Sequence, residues 1–132
     1  MPEITGIAHV ELSVRDLEVS VPWYLKLLDA RDVWRGSNEA YGITACAIFE
    51  PKSKMVFAFT QHREQEPDVF SPRRPGLDHV SFGVADRAAL EAWVVHLDAL
   101  GIEHSPIQDD HQPPSVTFRD PDGIALELSY PK

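Results

Sequence analysis

The sequence predicts an α+β fold of two β-α-β-β-β modules, and three observations carry that prediction. The chain repeats itself at an offset of 70 residues: His9/His79, Val10/Val80, Val14/Val84, Asp16/Asp86, Trp23/Trp93, Leu27/Leu97 and Pro51/Pro121 all pair. Repetition at this length marks two copies of one supersecondary unit, each too small to bury its apolar face alone. Each copy opens on a stretch that alternates apolar and polar residues, Ile7 to Val14 and Leu77 to Val84, as half-buried strands do. The second copy closes on Val116 to Phe118 and Ile124 to Leu128, joined by Asp120-Pro121-Asp122-Gly123. There Pro121 presets φ for a type I turn and Gly123 accepts the left-handed position that follows, so a hairpin is expected.

Module one spans residues 1–62. Ile4 to Val14 is its first strand, and Asp16 starts a helix to about Ala30, with Trp23, Leu27 and Ala30 toward the core. Pro22 is acceptable only in the first turn, where its missing N–H has no helical partner to lose. Val33 to Gly36, Tyr41 to Glu50 and Lys54 to Gln61 supply three further strands, the last two joined around Pro51-Lys52-Ser53. Residues 63–75 have neither helical nor strand periodicity and contain internal prolines, so they read as a solvated linker. Module two spans 76–132. Leu77 to Val84 is a strand, and Asp86 caps a helix to about Leu100 whose stripe is Leu90, Trp93, Val94 and Leu97. His96 falls off that stripe, toward the surface. Gly101 ends the helix, Ile102 to Ile107 is a strand, and residues 109–114 form a loop in which Asp109, Asp110 and His111 are solvated.

At 132 residues and 43% hydrophobic composition, the chain is one domain's worth with an ordinary core. A formal charge of −9 with no Lys/Arg cluster excludes nucleic acid and anionic membrane surfaces as partners and favours a small-molecule ligand. No apolar N-terminal run resembles a signal peptide or membrane span. A single cysteine, Cys46, cannot form an intramolecular disulfide, so the expected compartment is the cytoplasm. Within Ala45-Cys46-Ala47-Ile48-Phe49 that cysteine reads as a small strand hydrophobe rather than a nucleophile.

If the helices cover one face of the sheet, the opposite face carries His9, Glu11 and Ser13 from the first strand, His79 and Ser81 from its repeat, and Glu127 and Ser129 from the last. The double unit, the His-Val strand starts, and Phe118-Arg119-Asp120-Pro121-Asp122-Gly123 running into Leu126-Glu127-Leu128 resemble the vicinal oxygen chelate superfamily. That superfamily groups glyoxalase I, methylmalonyl-CoA epimerase, extradiol dioxygenases, fosfomycin-resistance transferases and bleomycin-resistance proteins, and the resemblance covers nearly the whole chain. It implies a curved sheet around a concave site and a divalent ion held by His9, His79 and Glu127, with open positions for a substrate oxygen. Fe, Mn, Zn and Ni all suit such a set, and affinity should fall below about pH 6 because imidazole must be neutral to bind.

The 70-residue offset makes Phe57 the counterpart of Glu127, with Met55 and Phe59 two residues either side; none binds a hard ion. Glyoxalase I and methylmalonyl-CoA epimerase supply Glu or Gln there, so the three-ligand members are the better match. Extradiol dioxygenases place a tyrosine where this chain has Thr117, and fosfomycin-resistance transferases a threonine where it has Glu11. Glu11 reads either as a general base or as a rim carboxylate paired with a cation such as Arg119. Arg119 reads either as a holder of an anionic substrate group or as a surface arginine, and Phe57 and Phe59 are expected to line the site. The resemblance implies a metal-dependent enzyme on a small substrate that chelates the ion through adjacent oxygens, as a glyoxalase-like lyase or isomerase, a dioxygenase or a thiol transferase. The alternative is a non-catalytic protein that sequesters an antibiotic or aromatic compound. It also implies a C2 homodimer with two sites, in which the two histidines of one site come from the same chain or from different chains.

Overall fold

Capping residues fix where each helix begins, and the helices in turn fix which sheet face is apolar. The computed structural model describes residues 1–110 and 113–131. It divides into two compact units, Met1–Pro67 and Asp68–Lys132, and the boundary lies within residues 63–75, which carry neither helix nor strand. His111 lies outside the described residues. No helix among them is long and apolar enough to cross a membrane.

The first unit runs β1 (Val10–Ser13), α1 (Leu17–Leu28), β2 (Arg31–Asn38), β3 (Ile43–Glu50) and β4 (Met55–His62). Its sheet order is β1-β4-β3-β2, with β1 parallel to β4 and the other pairs antiparallel. The second unit runs β5 (Val80–Gly83), α2 (Arg87–Ala99), β6 (Ser115–Arg119) and β7 (Ala125–Ser129), in the order β5-β7-β6 with β5 parallel to β7. In both units the opening strand pairs with the closing one. A parallel pair needs a long crossover, which the helix supplies.

Asp16 caps α1 by accepting from the Glu18 N–H at 2.9 Å, and Gln61 of β4 accepts the Leu17 N–H at 2.9 Å, tying the helix start to the sheet. Asp86 caps α2 through the Ala89 N–H at 2.9 Å. That helix ends at Gly101, whose φ of 70° lets the Ile102 N–H return to the Leu97 carbonyl at 2.9 Å. Beneath α1, Val21, Tyr24 and Leu27 are buried with Leu12, Cys46, Ile48, Phe57 and Phe59. The Tyr24 ring lies 5.4 Å from Phe57 and 4.6 Å from Phe59.

Three expectations are corrected. The first strand begins at Val10, not Ile4, and Ile4 and Ile7 are exposed. Its partner β4 begins at Met55, so the residues before Ala8 have no strand to pair with. Pro22 lies inside α1 beyond the first turn. It sits on the exposed side, where water can take up the Glu18 carbonyl that a proline cannot satisfy. The expected strand Ile102 to Ile107 is not formed: the isolated bridges to β6 are His104↔Phe118 within it and Gln108↔Ser115 just beyond it, and Pro106 between them has no N–H to donate.

The hairpin between β6 and β7 forms as expected. Gly123 adopts φ 77°, its N–H meets the Asp120 carbonyl at 2.9 Å, and the Asp120 carboxylate accepts from the Asp122 and Ile124 N–H groups at 2.8 Å each. Asp120 is buried, so Asp120→Ala is expected to cost about 2–3 kcal/mol, read from chemical denaturation, with Asp120→Asn retaining much of it.

Candidate functional site

Strand alternation separates a helix-facing set from a polar set in each unit. In the second unit, β5 and β7 pair Ser81 with Glu127, and β6 and β7 pair Thr117 with Glu127, so these three side chains share one face. His79 precedes β5 on the same face by two-residue alternation. Its Nε2 lies 3.9 Å from Glu127 Oε1, and its Nδ1 lies 2.8 Å from Asp78 Oδ1. The Ser81 hydroxyl donates to Glu127 Oε1 at 2.9 Å and lies 2.8 Å from the Ser129 hydroxyl.

An ionised carboxylate only accepts hydrogen bonds, so a neutral His79 ring can use the 2.8 Å contact to Asp78 only with its proton on Nδ1. In that tautomer the Nε2 lone pair faces Glu127 Oε1 at 3.9 Å, and either a proton or a metal ion between them relieves the opposition. Ligand bonds of about 2.0–2.2 Å allow two donor atoms on one ion to stand at most about 4.3 Å apart. The pair lies within that reach, and as two donors it needs at least one more to make an ion site.

The first unit repeats the arrangement with the carboxylate moved. His9 Nε2 lies 4.0 Å from Glu11 Oε1, and the Thr60 hydroxyl donates to Glu11 Oε2 at 2.6 Å. The register pairs Glu11 with Ala58, as it pairs Ser81 with Glu127. The structural counterpart of Glu127 is thus Ala58, one residue from the Phe57 that the 70-residue offset indicates. Alanine offers no ligand, so no fourth ligand stands at that position.

Phe57 and Phe59, expected to line a pocket, are core residues instead. They are 1% and 0% exposed, packed against Tyr24 on the face opposite Glu11. Arg119 alternates onto the Glu127 face, where its Nη1 donates to the Gly123 carbonyl at 2.8 Å and its guanidinium lies 5.7 Å from the Phe70 ring centre. Among the described residues, no group of three His, Cys, Asp or Glu side chains stands close enough to hold one ion; His9 meets Glu11, His79 meets Asp78 and Glu127, and His104 meets Asp98.

Cys46 is fully buried, and burial together with the Asp32 carboxylate 3.5 Å away pushes its thiol up to about 11. That is an inert core thiol. Asp109 pairs with Arg87, and the His96 ring packs edge-on against Trp93, 5.2 Å between centres. Two polar neighbours of the pairs, Asp78 and Thr60, escaped the sequence reading. Asp78 stood beside His79 in the sequence, whereas Thr60 met Glu11 only through the β1–β4 register.

A β-α-β-β-β unit and a β-α-β-β unit, each with parallel first and last strands and a histidine beside a carboxylate on its polar face, define a paired-module α+β protein. The model of the Glyoxalase/Bleomycin resistance protein/Dioxygenase superfamily matches residues 6–128, and the chain belongs to that superfamily. A crystal structure of a glyoxylase/bleomycin resistance protein/dioxygenase domain from Frankia sp. EAN1pec superposes with a TM-score of 0.87 at 32% identity, covering 98% of this chain and 94% of that one. The metallothiol transferase FosB of Bacillus licheniformis is 27% identical over 128 residues, 96% of this chain and 75% of FosB. The fosfomycin resistance protein FosX of Listeria monocytogenes, crystallised with Mn(II) and sulfate, shares the fold with a TM-score of 0.70 at 17% identity, covering 98% of this chain and 93% of that one.

Proposed function

We propose that this protein is a metal-dependent enzyme acting on a small substrate that offers one or two adjacent oxygens. The observation that carries the reading is the facing acceptor pair, His79 Nε2 and Glu127 Oε1 at 3.9 Å. His9, His79 and Glu127 hold the ion. A single chain brings together only pairs, and we take the set to be completed in a homodimer, where His9 of one protomer joins the His79–Glu127 pair of its partner. A divalent ion held by these three residues would supply Lewis acidity toward a substrate oxygen.

The remaining steps fall to side chains. Glu11, held by the Thr60 hydroxyl, takes a proton from the substrate or from an incoming thiol. Ser81 keeps the Glu127 carboxylate oriented through its 2.9 Å hydrogen bond. Arg119, on the Glu127 face, supplies a positive charge for an anionic substrate group. Thiol transfer stands first among the reactions because FosB, a metallothiol transferase, is a relative over nearly the whole chain.

The test follows absorbance when metal-loaded protein meets fosfomycin with thiols, 2-oxoaldehydes with thiols, and catechols. The expected result is turnover of one class, abolished by Glu127→Ala. Tight binding of an unchanged aromatic compound or antibiotic by metal-free protein, with no turnover of any class, would establish a sequestering protein instead.

A further inference from the structure

The two modules repeat their histidines but not the residues that hold them. Asp78 precedes His79, while the equivalent residue before His9 is Ala8. Asp78 Oδ1 lies 2.8 Å from His79 Nδ1, whereas the carboxylate nearest His9 lies on the other ring nitrogen, 4.0 Å from Nε2.

From this asymmetry we infer that Asp78 is a positioning residue for His79: its carboxylate holds the ring as the Nδ1–H tautomer and directs the Nε2 lone pair at Glu127. The inference rests on the reading of His79 as a metal ligand. The chemistry is simple. A neutral imidazole has one donor and one acceptor nitrogen, and a carboxylate on one of them decides which is which. Without it, a proton placed on Nε2 would point toward Glu127, 3.9 Å away, and leave no lone pair there for an ion. A carboxylate behind a ligating histidine also fixes the ring plane, so binding starts from a pre-aimed donor. His9 has no such carboxylate on Nδ1 among the described residues.

The contact is solvent-exposed, with side chains 45% and 71% accessible. Its effect therefore belongs at the low end of the range for outer-shell partners, about tenfold in metal affinity. Exposure also means that Asp78→Ala leaves the core untouched.

The experiment has two independent readouts. Nitrogen-15 spectra of metal-free protein, recorded at about pH 8.5, above the usual imidazole range, report the tautomer of each histidine, with His9 as internal reference. The wild type should show His79 as Nδ1–H. Asp78→Ala should shift it to a mixed or Nε2–H state while His9 is unchanged, and Asp78→Glu should restore part of the Nδ1–H form. The dissociation constant for Mn(II) alone should rise about tenfold in Asp78→Ala and recover partly in Asp78→Glu. Loss of Mn(II) binding in His79→Ala, with the tautomer and affinity of Asp78→Ala unchanged, overturns the inference alone. Equal Mn(II) affinity in wild type and His79→Ala overturns the ligand reading and the inference with it.

Discussion

Glu127→Ala is expected to lower divalent-ion affinity by more than about 100-fold, because losing a residue that only supports a ligand costs about 10–100-fold and Glu127 is proposed to bind the ion itself. The wild type should hold about one ion per chain at saturation, measured by elemental analysis of protein never exposed to chelator and by competition with a chelating dye. His79→Ala should show a loss of similar size. The Glu127 side chain is only 19% accessible, and its Oε1 already accepts from Ser81, so alanine also leaves the His79 ring without the carboxylate it faces. Unchanged metal content in both variants would remove the ion from the site.

Phe59→Ala is expected to destabilise the protein by about 3–5 kcal/mol, a large part of the roughly 5–15 kcal/mol that holds a domain of this kind together. The ring is fully buried between Tyr24, 4.6 Å away, and Phe57, 5.4 Å away, under α1. Its removal opens a cavity that rigid neighbours on helix and sheet cannot close. Urea unfolding measures the loss. Metal affinity of the folded variant should stay close to wild type, since Phe59 faces away from Glu11. A variant of normal stability with weakened ligand binding would return Phe59 to the site it was expected to line.

Both predictions rest on the same question, namely which face of a strand a side chain occupies. In the second unit the sequence was enough. Leu126 and Leu128 alternate with Glu127, the Asp120-Pro121-Asp122-Gly123 turn sets the hairpin register, and one apolar face against one carboxylate leaves a single arrangement. In β4, Met55-Val56-Phe57-Ala58-Phe59-Thr60 is apolar on both faces, so alternation does not say whether the phenylalanines or the alanine meets the helix. Tyr24 decides it, because a large ring on α1 needs large partners, and the β1–β4 register then sets Glu11 opposite Ala58. The one-residue difference between that register and the 70-residue offset is the reason Phe57 is the wrong counterpart of Glu127.

The sequence by itself determined that the chain is a duplicated α+β protein, where its helices are capped, where the last hairpin turns, and that His9, Glu11, His79 and Glu127 alternate with apolar residues. These are properties of short segments, set by dihedral preference, capping and periodicity within a dozen residues. Only the tertiary structure decided that Pro22 rides on the exposed side of α1, that the second expected strand of the second unit is reduced to isolated bridges around Pro106, that Phe57 and Phe59 belong to the core, and that Thr60 holds Glu11. The same holds for the distances that pair His79 with Asp78 and Glu127, and His9 with Glu11. These depend on register between strands tens of residues apart and on which side of the sheet a helix settles, and no local pattern along the chain encodes either.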